Sequence, residues 1–135
     1  MGKRKKLMAD AMKEARKTQY FASLRNCPTS PRKMRVVADL VRGMDVEKAL
    51  YTLKLHPKEA SGRLEKLLLS ALSNWEQKND GEGADTAGLF IKEIQVDSAR
   101  MLKRLQTAPQ GRAHRIRKRS NHVTLVLGSS EVKEG

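Results

Sequence analysis

The sequence predicts an α+β fold: three helices packed on a small three-stranded antiparallel sheet, with a long projecting β-hairpin. Three observations predict it. Apolar residues recur at helical spacing in three consecutive stretches between residues 31 and 79. Alternating or β-branched apolar segments stand at 19–26, 89–97 and 122–127. Between the last two lies Ser98 to Asn121, too polar to order itself by burial and carrying turn residues near its middle.

Taken in order, residues 1–18 form a basic extension. Met8, Ala11, Met12 and Ala15 recur at helical spacing, with Lys13, Arg16 and Lys17 on other faces. An isolated helix this short is marginal in water, so the segment is either disordered or ordered by a partner, RNA before membrane because it lacks a bulky aromatic anchor. From Gln19 to Asn26, Tyr20, Ala22 and Leu24 alternate with Phe21, Ser23 and Arg25 as in a strand, which Pro28 ends. Ser30 followed by Pro31 signals a helix start, a side-chain cap before proline at the first helical position. That helix runs from about 31 to 42 on the stripe Met34, Val37, Ala38, Val41 and stops at Gly43. Asp45 caps a second helix with inner residues Val46, Ala49, Leu50 and Leu53, ended by Pro57. A third and longer helix carries Ala60, Leu64, Leu67, Leu68, Ala71, Leu72 and Trp75, stops near Asn79, and leads into a loop at 80–88.

If strand 89–97 pairs antiparallel with 120–127, the residues between must project as a hairpin. Its turn is Pro109-Gln110-Gly111, and each arm holds roughly ten residues, about 30 Å at strand rise. Residues 19–127 then make one domain that includes the hairpin at about 98–120, and 128–135 are a C-terminal tail.

The chain has 135 residues, 39% hydrophobic and only 4% aromatic, enough for one small aliphatic core. Charge dominates: 28 Lys and Arg against 15 Asp and Glu, a net of +13. A surface this basic usually has an acidic polymer to meet; nucleic acid is the commonest, anionic membrane the next, and a solvated surface the bland alternative. The lone Cys27 excludes an internal disulfide and a zinc site built on paired cysteines, and reads as a small buried thiol. No apolar run is long enough for a membrane span or signal-peptide core.

Two constellations carry the functional reading. On the first core helix, Arg32, Arg35 and Arg42 share one side, with Lys33 nearby, opposite the apolar stripe, and Asp39 is the one acid among them. Arginine holds phosphate through a planar fork of donors. The second is sharper. Ser98 to Asn121 contains no acid and eight cations: Arg100, Lys103, Arg104, Arg112, Arg115, Arg117, Lys118 and Arg119. Contact with phosphate there predicts steep salt dependence, not base-specific reading. A solvated face and a flexible linker are the respective bland alternatives. Catalysis finds no support: His56, His114 and His122 are scattered, Ser30 has no acid–base partner at a recognisable spacing, and no glycine-rich phosphate loop is present. No cofactor and no metal are expected.

These residues resemble a known family. Ser30-Pro-Arg-Lys-Met-Arg-Val-Val-Ala-Asp-Leu-Val-Arg-Gly43 is similar to the first-helix signature of large-subunit ribosomal protein family twenty-two, bacterial type. The likeness continues through Val46 to Leu50, Leu67 to Asn74, Ile94 to Asp97, Gly111 to Arg119 and His122 to Val126, covering about Gln19 to Leu127. The resemblance implies a structural, non-enzymatic constituent of the large ribosomal subunit, cytoplasmic, supporting assembly and lining the peptide exit tunnel with its hairpin. The implied partners are large-subunit rRNA, neighbouring ribosomal proteins and the nascent polypeptide, with no membrane and no homo-oligomer. Carried over, it assigns rRNA contact to Arg25, Arg32, Lys33, Arg35, Arg42, Lys103, Arg104, Arg112, Arg115, Arg117, Lys118 and Arg119. It assigns Leu102, Lys103, Arg104, Gly111, Arg112 and Ala113 to the exit-tunnel tip. Ala99-Arg100 and Thr107-Ala108-Pro109 depart from the Gly-Pro and Pro-Arg-Ala that relatives usually carry, implying a tip bent differently and less charged.

Overall fold

Helix α1 (Lys3–Lys17) leads into strand β1 (Tyr20–Cys27) in the computed structural model, which describes residues 2–80 and 88–130. Helices α2 (Pro31–Val41), α3 (Val46–Leu55) and α4 (Glu59–Lys78) follow, then β2 (Leu89–Ser98), β3 (Leu102–Thr107), β4 (Ala113–Lys118) and β5 (Asn121–Ser129). The α+β class stands, but the count differs from the expected three helices, because the extension forms α1. Most of the loop expected at 80–88, and the tail beyond Ser130, lie outside the described residues.

β5 sits at the centre of an antiparallel sheet of order β1-β5-β2. Its alternation is clean: Asn121, Val123, Leu125 and Leu127 are buried, while the residues between them are only half-buried. A central strand whose inner face is Val and Leu packs well against helices and fixes register, because a one-residue slip would turn every inner side chain outward. The inner face meets Met34, Val37, Ala38 and Val41 of α2 and Leu64, Leu68, Ala71 and Trp75 of α4, all essentially inaccessible. The two stripes read at helical spacing are therefore the core. Leu50 and Leu72, read as inner residues, sit half-buried at its edge.

Two bulges bend the flanking strands. In β1 the register shifts between Leu24 and Cys27, where Asn26 has φ of 54° and its N–H donates to His122 Nδ1 at 3.0 Å. The extra residue makes Cys27, three positions after Leu24, the next buried side chain. In β2 the shift falls between Ile91 and Glu93. Gly43, at φ of 79°, ends α2 as expected, and its N–H donates to the Ile91 carbonyl at 3.1 Å. The helix end is thereby fastened to the edge of β2. Ser30 and Asp45 stand at the helix starts, but neither side chain makes a capping hydrogen bond. Asp45 instead pairs with Lys48 at 3.1 Å, and its backbone bridges to Phe90. At Ser30 the start rests on Pro31 and on the Ser30 carbonyl accepting from Met34 N–H.

Candidate nucleic-acid interface

β3 and β4 form a ladder of their own, separate from the core sheet. It projects where β2 ends at Ser98 and β5 begins at Asn121; Ala99 N–H donates to the Ser120 carbonyl at 2.9 Å and closes its base. The regular ladder has six residues per arm, shorter than the ten expected, because 99–101 and 119–120 leave the pairing. At its end Pro109–Gly111 makes one tight turn with Gln110 at φ 63° and Gly111 at φ 69°. Ala108 N–H donates to the Arg112 carbonyl below it.

Every side chain in both strands is exposed. Leu105 remains 72% accessible, Leu102 52% and Ile116 37%, so little apolar burial holds the ladder together. Opposite residues share a face, which sorts the cations. One face carries Lys103 directly opposite Arg117, then Leu105 opposite Arg115, then Thr107 opposite Ala113. The other carries Leu102 opposite Lys118, Arg104 opposite Ile116, and Gln106 opposite His114. Like charges directly opposite destabilise a ladder, and a lone two-stranded ribbon is marginal even without them. With no acid between Ser98 and Asn121, the neutralising charge must come from outside the segment. The residues expected together at the tip are not together: Leu102, Lys103 and Arg104 lie in the half of the ladder nearer its base, and Gly111, Arg112 and Ala113 at its end.

The second basic surface lies on α2. Arg32 and Lys33 are exposed beside Lys58, which arrives from the α3–α4 turn; together with Thr29, Val36, Glu59 and Ala60 they line an open cleft of about 520 Å³. Arg35 and Arg42 are partly committed elsewhere. Arg35 Nη2 donates to the Val96 carbonyl at 3.1 Å, and Arg42 Nη2 to the Ile94 carbonyl at 2.9 Å. Arg42 also pairs with Asp39. Both guanidinium groups clip α2 to β2, and each keeps further N–H groups for an external acceptor. Arg25 is exposed within the bulge of β1. Lys58 was not among the predicted cations; it stands apart from them in sequence, and only the packing of α4 on α2 brings it to Arg32.

Several other titratable groups make structural contacts. His56 Nδ1 accepts from Lys58 N–H at 3.3 Å, and His122 Nδ1 from Asn26. Glu59 holds Arg63 at 2.7 Å and raises the Arg63 pKa from its ordinary value, chiefly by that hydrogen bond. Among the described residues no three His, Cys, Asp or Glu side chains group as metal ligands, and no helix is long and apolar enough to cross a membrane.

Residues 22–128 match the family model described as ribosomal protein L22p/L17e. The chain is 68% identical over 129 residues to the large ribosomal subunit protein uL22 of Flavobacterium johnsoniae, covering 96% of this chain and 94% of that one. It is 65% identical to the protein of the same name from Christiangramia forsetii, over 96% of each chain. With the Bacteroides fragilis protein it shares 59% identity over 134 residues, 99% of this chain and 98% of that one. This is a family of ribosomal structural proteins, not of enzymes. An acid-free cationic ladder, a basic helix face and a match across both leave one conclusion: the chain belongs to the ribosomal protein L22p/L17e family.

Proposed function

We propose that this protein is a structural constituent of the bacterial large ribosomal subunit, where it binds large-subunit rRNA, supports subunit assembly and lines the polypeptide exit tunnel with the β3–β4 hairpin. It works in the cytoplasm as a single copy within the particle, against rRNA, neighbouring ribosomal proteins and the nascent chain. The observation that carries this reading is the cation pairing across the ladder, Lys103 against Arg117, in a hairpin with no buried side chain and no acid. Such a ribbon gains order only where phosphate surrounds it. The mechanism is neutralisation and shape: cations on both faces let RNA segments approach that would otherwise repel, while the α2 face with Arg32, Lys33, Arg35 and Arg42 secures the body. Exposed Leu102, Leu105 and Ile116 supply apolar surface beside those cations, suited to a tunnel wall that meets polypeptide.

The test is a deletion of residues 100–118, compared with the full chain for binding to a large-subunit rRNA transcript across a salt series. The deletion removes seven of the eight cations between Ser98 and Asn121. It is expected to leave a folded body and to flatten the slope of log affinity against log salt by as much as about five. Equal slopes would overturn the reading.

A further inference from the structure

Helix α1 lies outside the residues matched by the family model, yet the alignment with the Bacteroides fragilis relative spans 99% of this chain and so takes it in. It is a regular helix of 15 residues that buries none of them. The charges of its first turn have the wrong placement for a helix that stands alone. Lys3, Arg4, Lys5 and Lys6 crowd the first turn, which holds no acid, where the helix dipole already disfavours positive charge. Like charges three and four residues apart, as in Lys13 with Arg16 and with Lys17, destabilise it further.

Those charges are sorted around the axis. At 3.6 residues per turn, Lys5, Lys6, Lys13, Arg16 and Lys17 fall within about a third of the circumference. Asp10 and Glu14 lie beyond that arc, toward Leu7. Glu14 reaches Lys17 at 2.8 Å, while Lys5, Lys6, Lys13 and Arg16 make no ion pair among the described residues. The helix thus presents one acid-free cationic strip about 20 Å long.

We propose that α1 is a second, separate rRNA-binding element, which lays this strip along RNA phosphates and gains its order from them. The assignment rests on charge complementarity: a strip of cations, four of its five without an ion pair among the described residues, fits a line of phosphates, and each contact removes a repulsion that the free helix carries. It also rests on the rRNA-binding reading of the protein as a whole, and the experiment separates the two. Full-length chain carrying Lys5→Gln, Lys6→Gln, Lys13→Gln and Arg16→Gln is measured for binding to a large-subunit rRNA transcript over a salt series. An Arg115→Gln, Arg117→Gln chain is measured beside it. The α1 variant is expected to flatten the log–log slope by about three, and combining both sets of changes is expected to flatten it further. If the hairpin variant flattens the slope and the α1 variant leaves it unchanged, the inference about α1 fails and the rRNA-binding reading survives. If neither changes it, both fail. A third variant, Leu7→Gln with Met8→Gln and Met12→Gln, distinguishes a protein-docking helix. Loss of occupancy on reconstituted large subunits by this variant, with the cation variant at full occupancy, would also overturn the proposal.

Discussion

Leu64 and Leu68, both inaccessible on α4, show what single side chains contribute to this small core. Leu64→Ala should cost about 2–5 kcal/mol, read as a lower urea midpoint followed by the fluorescence of buried Trp75. The glycines divide by cause. At Gly43 a Cβ meets nothing within 4 Å, so Gly43→Ala should cost about 1–2 kcal/mol through the left-handed backbone alone. At Gly128 a Cβ would lie 2.8 Å from Phe90 Cζ, so there the ring must move and the outer face of the sheet repacks. Lys103 offers a test of sign. Lys103→Glu faces Arg117 with an opposite charge, and should raise amide protection in the free ladder while weakening rRNA binding at least tenfold. Unchanged amide protection would show that repulsion across this pair does not loosen the free ladder, and unchanged binding that Lys103 meets no phosphate. Such residue roles were only partly legible. That Arg35 and Arg42 spend donors on β2 carbonyls, and that Lys58 joins Arg32, depends on how α2 and α4 land on the sheet, which no local spacing encodes.

Among the elements, α2 and α4 were readable because their apolar stripes hold one period over three or more turns and burial then selects that face. β5 was readable for the same reason at period two. The bulges in β1 and β2 were not, because an added residue breaks the alternation that marks a strand, and its position depends on cross-strand partners such as Asn26 with His122. α1 lay at the limit. Its spacing was visible, but a helix that buries nothing leaves sequence patterns no burial to report. The hairpin was legible by elimination, as a cationic span with turn residues between two apolar strands. Its regular pairing is shorter than the span allows, since Ala99 to Met101 and Arg119 to Ser120 serve as the junction with the body. Because the ladder pairs only with itself, its removal should shift the melting temperature of the body by no more than a few degrees. Loss of cooperative unfolding would mean that the ladder supports the fold.

At the scale of the whole molecule, a net charge of +13 is divided among a compact body, a projecting ladder and a helix that buries none of its residues. The body folds on its own apolar core. The two appendages bury nothing and collect cations, a division that suits a protein whose final environment is built from RNA. The most direct measurement places a photo-crosslinking residue at Leu105, and separately at Arg115, in intact large subunits. These two stand opposite each other on one ladder face. Crosslinks from both positions into rRNA are the expected result. Crosslinks confined to this protein's own body, or a chain that never enters the particle, would contradict the placement of the hairpin in RNA.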